Sequence, residues 1–113
     1  MVKQIGKPKY KMNNTTHFTA HNPTTNQTLE GDFKNATETE VNEAVQKATA
    51  AFAIYRKKDN KEIAAFLEQI AEEILNLGNA LLDRCHQETG LPLSRLEGER
   101  VRTINQLKLF ASL

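Results

Sequence analysis

One thiol, three imidazoles and a few neighbouring carboxylates are the groups in this chain able to support covalent, metal or acid–base chemistry. Cys85 is the single cysteine. A nucleophilic thiol is activated by a helix N-terminus, an adjacent cation or a base. Cys85 instead falls toward the C-terminal part of a helical segment that ends around Gly90, and its neighbour His86 points about 100° away from it around the helix. Cys85 therefore reads as a structural cysteine, not a catalytic one. His17 and His21 face the same way along an extended segment, but four extended residues span about 13 Å, too far for two ligands on one ion. His86 has no partner at ligand spacing, so no metal site is expected. Glu72 with Glu73, and Glu97 with Glu99, diverge around their helices and read as solvated faces and caps. The glycines at 6, 31, 78, 90 and 98 match neither G-x-G-x-x-G nor a P-loop, so no phosphate cradle is expected and no residue is assigned to a cofactor.

Arg102 and Gln106 form a different kind of constellation. They stand four apart on the last helical segment, with Leu109 and Leu113 continuing the same row. A guanidinium and an amide set in an apolar row can recognise a ligand carboxylate, the arginine offering a two-pronged fork. The same spacing also suits a surface arginine whose stem packs on neighbouring carbons.

The elements that hold these groups divide the chain in two. Residues 1–16 form a polar arm, with one short strand expected near Ile5. From His17 the alternation of HFTAH puts Phe18 and Ala20 on one face. Asn22-Pro23-Thr24-Thr25-Asn26-Gln27 supplies turn chemistry, and TLEGDF follows with Leu29 and Phe33 on one face, which together predict a β-hairpin. Beyond it the pattern is helical. Thr37-x-x-Glu40 opens the first helix as a capping box, and Val41, Ala44, Val45, Ala48, Phe52 and Tyr55 form its apolar stripe. Asp59-x-x-Glu62 opens a second, with Ile63, Phe66, Leu67, Ile70, Ile74 and Leu77 as its stripe and Gly78 as its stop. A third, shorter helix carries Leu81, Leu82 and Cys85 and ends around Gly90, because Leu91-Pro92 breaks it. Ser94-x-x-Glu97 is read as the opening of a fourth. Val101, Ile104, Leu107 and Ala111 form its stripe, while Leu109, Phe110 and Leu113 widen the apolar surface. Leu107, Phe110 and Leu113 should drive self-association or packing on a partner. The last pattern ends without Gly, Asn or Pro, which suggests a chain cut from a longer one. The fold expected for residues 17–113 is mostly α, four helices behind an N-terminal β-hairpin.

Bulk properties exclude several classes. With 15 basic and 14 acidic residues among 113, the net charge of +1 offers no field for nucleic acid or an anionic membrane. No stretch approaches the roughly 18 or more apolar residues of a membrane span, and no apolar core of a signal peptide follows the early lysines. A lone cysteine fits a reducing, cytoplasmic setting, in which the Asn-x-Ser/Thr matches at Asn13, Asn14, Asn26 and Asn35 are chance occurrences.

The order of segments resembles the opening of the aldehyde dehydrogenases. Asn22-Pro23-Thr24-Thr25-Asn26-Gln27 is similar to that family's N-P-A-T-G-E hairpin, departing at Thr24, Asn26 and Gln27. Ala50-Ala51-Phe52-Ala53-Ile54-Tyr55-Arg56 is similar to A-A-F-x-x-Y/F-R, and the second helix fits A-x-F-L-x-x-I-A-E-E-I from Ala64 to Ile74. Glu88-Thr89-Gly90-Leu91-Pro92 resembles E-T-G-x-P. In the last helix, residues 99–111 resemble E-R-x-R-T-x-x-Q-L-R-L-F-A of the α-ketoglutaric semialdehyde (2,5-dioxovalerate) dehydrogenase group. The resemblance implies a piece of an α/β dehydrogenase lacking its cofactor-binding sheet, with Arg102 and Gln106 helping to hold a substrate's distal carboxylate at the aldehyde tunnel. It also implies oxidation of an aldehyde by NAD or NADP through a cysteine, an oxyanion site and a glutamate. In that family these parts lie beyond the stretch equivalent to residue 113, so the chain alone should be inactive and bind no cofactor. The competing class is a stand-alone helical interaction or oligomerisation module.

Overall fold

The structure, a computed structural model, describes residues 16–113. The strand expected near Ile5, nearly all of the polar arm, and the Asn13 and Asn14 motifs lie outside these residues. The element order is β1 (His17–Phe18), β2 (Phe33–Lys34), α1 (Glu38–Tyr55), α2 (Asn60–Asn76), α3 (Gly78–Thr89) and α4 (Leu93–Ala111), as the sequence pattern predicts in kind and order.

β1 and β2 pair antiparallel, His17 opposite Lys34 and Phe18 opposite Phe33, and the two phenyl rings stack at 5.4 Å. Nearer the turn, an isolated bridge pairs His21 with Thr28. Two residues separate the bridged positions on the first strand and four on the second, so the second bulges around Gly31, at φ +117°. The bulge is why the ladder comes out as short pieces and not the longer strands that alternation suggests. The turn is built by Asn22, whose Oδ1 accepts from the N–H of Thr24 and Thr25, and by Asn26 in the left-handed region at φ +58°. An asparagine tolerates that conformation because its short polar side chain can bond locally.

Two helices open on reciprocal capping boxes. The Glu40 N–H donates to Thr37 Oγ1 at 3.2 Å, and the Thr37 N–H donates to Glu40 Oε2 at 2.8 Å. Asp59 and Glu62 repeat the device at 2.8 and 3.2 Å. α4 differs from expectation. It begins at Leu93 with Pro92 as N-cap, and Ser94 makes no capping bond. Pro92, extended at ψ 141°, already presents its carbonyl to the N–H groups of Arg95 and Leu96, which leaves Ser94 inside the first turn. Gly78 acts as the expected stop, left-handed at φ +59°, but α3 restarts at once, so α2 and α3 are joined through Leu77 alone. Gly90 closes α3 at φ +71°. An added Cβ there would come within 3.2 Å of Thr24 Oγ1, so the left-handed cap also receives the hairpin turn.

The interior is small. Ala71, Leu82, Leu96 and Ile104 are the buried hydrophobic residues among those described. They lie where α4 packs on α2 and α3. Ile63, Leu67, Ile70 and Ile74 are half-buried around them, but Phe66 and Leu77 of the expected stripe are exposed. Val101 is exposed too, because it lies off the side of α4 that carries Ile104, Leu107 and Ala111. The stripe of α1 buries nothing: Val41, Val45, Phe52 and Tyr55 are all exposed, and the helix meets other elements through an edge-on contact of Tyr55 with Phe66 and an exposed ion pair of Glu40 with Lys34 at 3.1 Å. The radius of gyration is 20.1 Å, against about 13 Å for a compact domain of similar length.

Both capping glutamates titrate low. The Thr37 backbone N–H, with Lys34 beside it, holds Glu40 below the ordinary 4.5, and Lys58, with the Asp59 N–H, does the same for Glu62. A carboxylate depressed in the folded state contributes its stabilisation above pH 4.5 and loses it as pH falls through the lower folded value. Acidification below that point should therefore fray the first turns of α1 and α2. Far-ultraviolet circular dichroism should show helicity falling there, and Glu40→Gln with Glu62→Gln should flatten the transition.

Candidate functional site

The position of α4 is set by two cross-ties of opposite kind. Lys108 Nζ meets Glu72 Oε1 on α2 at 3.2 Å, and Arg100 Nη1 donates to the Gly78 carbonyl oxygen at 2.9 Å, at the α2–α3 corner. As α4 runs from Arg100 to Lys108, its α2-side partners run backward from Gly78 to Glu72, so the two helices are antiparallel. Ile104 lies between these ties and is buried.

Arg102 and Gln106 then fall on the opposite side. At about 100° per residue, Arg102 sits roughly 160° around the helix from Ile104, and Gln106, Leu109 and Leu113 follow it along one strip. All are exposed, Leu109 by 54%, Phe110 beside them by 57% and Leu113 by 89%. The expected row thus exists as a continuous outward surface, in which a guanidinium and an amide are edged by unpaired hydrocarbon. The row faces away from α2, yet α4 is not sealed inside a bundle, since its outer side keeps this apolar surface open.

The cations of α4 separate cleanly. Arg95 lies 3.8 Å from Glu99, Arg100 is bonded to Gly78 and Lys108 to Glu72. Arg102 has neither an ion pair nor a hydrogen bond among the described residues, so its fork is available to an incoming carboxylate. Gln106 is likewise without a side-chain bond there. Asn105, three residues past Arg102 and also exposed, was not singled out by the motif, although its i, i+3 spacing from Arg102 was the available signal.

The other chemistry-bearing residues are placed by local structure. Cys85 is half-buried and lines an apolar groove of about 340 Å³ with Ile74, Leu77, Leu81, Leu82 and Leu96. His86 turns away to serve the end of α3: its Nδ1 lies 2.7 Å from the Leu91 carbonyl oxygen, which can only accept, so the proton resides on Nδ1. Thr89 Oγ1 donates to the Cys85 carbonyl at 2.7 Å and accepts from the Leu91 N–H at 3.2 Å. The E-T-G-x-P stretch is therefore a hydrogen-bonded helix terminus. His17 Nδ1 pairs with Thr16 Oγ1 at 3.0 Å, and His21 Nδ1 with Thr28 Oγ1 at 3.4 Å. No group of three metal-ligating side chains occurs among the described residues. Glu73 accepts from Gln69 at 2.7 Å, Glu72 from Lys108, and Glu99 pairs with Arg95, so neither carboxylate pair acts as a unit.

Sequence reading also missed Arg84, which fastens the hairpin to α3. Its Nη1 donates to the Glu30 carbonyl at 2.6 Å and its Nε to Glu88 at 2.7 Å, while Nη2 is enclosed without a partner among the described residues. That contact joins residues 54 apart, and no local spacing announces it.

The residues present do not fit a nicotinamide cofactor. A dinucleotide needs a strand, a glycine turn and an open helix N-terminus for its pyrophosphate. Here α1 and α2 close their first turns with their own carboxylates, α3 follows α2 directly, and α4 follows a proline. The two-stranded hairpin is the sheet among the described residues.

Comparison with known proteins agrees with the resemblance seen in the motifs. The family model described as Aldehyde dehydrogenase family matches residues 10–113. Alpha-ketoglutaric semialdehyde dehydrogenase 2 of Azospirillum brasilense is 52% identical over 79 residues, 70% of this chain and 15% of that protein. Alpha-ketoglutaric semialdehyde dehydrogenase of Acinetobacter baylyi is 48% identical over 81 residues, 72% of this chain and 15% of that protein. The chain thus spans about one-seventh of the length of these relatives.

Proposed function

The chain belongs to the aldehyde dehydrogenase family, and from that premise we propose that it forms the N-terminal part of an NAD- or NADP-dependent enzyme oxidising α-ketoglutaric semialdehyde to the dicarboxylic acid. Residues 17–113 would supply helical casing and one wall of the substrate tunnel. The observation that carries the reading is the unengaged Arg102 fork, with Gln106 one turn on, set in exposed hydrocarbon on the outer side of α4. A tunnel wall for an acidic aldehyde needs these two features together: apolar surface along the chain of the substrate and a fixed cation at its far end.

The division of labour follows from what these residues can do. Arg102 and Gln106 bind and orient by holding the carboxylate, which leaves the aldehyde carbon directed along the Leu109–Leu113 surface toward the reacting groups. Nucleophile, oxyanion donors and hydrolytic base would come from other parts of the enzyme, as would the whole nicotinamide site, since Cys85 lies in a groove at the α2–α3–α4 junction and its neighbour His86 is bonded to Leu91. The setting is cytoplasmic, in keeping with the single thiol; among the described residues no helix is long and apolar enough to cross a membrane.

A second reading draws on the open apolar faces of α1 and α4: a helical module that self-associates through Leu107, Phe110 and Leu113 without catalysis. Half-buried Leu107 contributes less to such a contact than the exposed Phe110 and Leu113. Multi-angle light scattering on the purified chain should show a concentration-dependent mass above the monomer, and a monomer at high concentration would remove that reading.

The isolated chain, given α-ketoglutaric semialdehyde and either nicotinamide nucleotide, should form no reduced cofactor detectable by its near-ultraviolet absorbance. In a complete dehydrogenase carrying this segment, Arg102→Leu should raise KM for the acidic semialdehyde by roughly 10–100-fold, the loss of a charge-assisted pair, and leave a neutral aldehyde nearly unchanged. Equal effects on both substrates would make Arg102 structural.

A further inference from the structure

Resting on the reading of the outer α4 row as a carboxylate site, we infer that Asn105 is its third member and determines specificity. Its amide donates to the 2-oxo oxygen beside the distal carboxylate and so selects 2-oxo semialdehydes over semialdehydes bearing a carboxylate alone.

The placement is selective. From Glu99 to Lys108, the polar side chains Glu99, Arg100, Thr103 and Lys108 all have partners: Arg95, the Gly78 carbonyl, the Glu99 carbonyl and Glu72. The three without a side-chain bond among the described residues are Arg102, Asn105 and Gln106. They stand at i, i+3 and i+4, the spacing that makes neighbours on a helix surface. Local structure does not explain the asparagine. Asn is a poor residue for a helix interior because its side chain competes for nearby backbone groups, and Asn105 makes no such bond here and caps nothing.

The chemistry of the ligand supplies what is missing. A simple carboxylate offers two oxygens, which a guanidinium fork satisfies. A 2-oxo acid adds a third acceptor oxygen on the adjacent carbon, and this needs one further donor beside the fork. Asn105 offers two N–H groups on a short side chain, with fewer torsions to fix than Gln106. Leu109, one turn beyond Asn105, borders it with exposed hydrocarbon that a bound substrate would cover, shielding the bond from water.

The test exchanges this segment into the Azospirillum brasilense dehydrogenase and compares kcat/KM for α-ketoglutaric semialdehyde, for glutaric semialdehyde, which has the same carbon chain without the 2-oxo group, and for a neutral aldehyde. Asn105→Leu should lower kcat/KM for the 2-oxo substrate about tenfold, mainly through KM, and leave glutaric semialdehyde unchanged, as expected for one lost hydrogen bond. Asn105→Ala, which removes the donor without adding charge, should show the same selective loss; activity retained on the neutral aldehyde reports that each variant is folded. If both variants change the two semialdehydes equally, or change neither, the role of Asn105 is overturned while the carboxylate row stands. If Arg102→Leu instead lowers acidic and neutral aldehydes alike, the row itself fails, and the inference with it.

Discussion

The antiparallel packing of α4 on α2 is the constraint on which the arrangement depends. It buries Ala71 completely, and a methyl side chain at such a position lets a second helix approach closely. The ties at Glu72–Lys108 and Gly78–Arg100 set the register and rotation of α4. Of the two, the neutral-acceptor bond from Arg100 is partly buried, whereas the Lys108 pair is exposed and contributes little beyond alignment. Once Ile104 and Leu96 are turned inward, helical geometry leaves Arg102 and Gln106 no choice but the outer side. The outward placement of the Arg102–Gln106 row is thus a consequence of what the opposite face buries.

The same packing leaves much of the molecule half-solved. α1 is well capped and strongly periodic, yet buries no residue. Its local signals secure helix formation, but nothing in the described residues covers Val41, Val45 or Phe52. Capping and exposed charge pairing contribute far less than burial of several large side chains would. With a 20.1 Å radius of gyration and four buried hydrophobic residues among those described, the structure rests largely on local terms in its first half and on tertiary packing in its second. Placement of the unengaged polar side chains on the open side of α4 accords with a wall that is completed by other surfaces.

Hairpin and helices meet at the end of α3. Gly90 admits the Pro23–Thr24 turn against its missing side chain, and Arg84 reaches the Glu30 carbonyl in the bulge. The E-T-G-x-P stretch, by which the chain resembles the family, has a plain mechanical role here. Thr89 and His86 satisfy the groups that the ending helix leaves open, so that Pro92 can begin the next one.

Local chemistry alone determined which segments are helical, where Thr37 and Asp59 start them, where Gly78 and Gly90 stop them, and that the hairpin turns at Asn22–Asn26. Each of these follows from side chains bonding backbone groups a few residues away. The Arg102–Gln106 row was legible for the same reason, since i, i+4 adjacency is a property of one helix. Tertiary structure decided which stripes are buried. It left that of α1 bare, moved Val101 and Phe66 to the surface, and took over the start of α4 from Ser94 because Pro92 already supplied the acceptor. It also assigned Arg84 and Arg100 to distant carbonyls and left Arg102 without a side-chain partner among the described residues. Those outcomes depend on which surfaces meet, and periodicity reports only that a face is apolar, not whether anything is there to cover it.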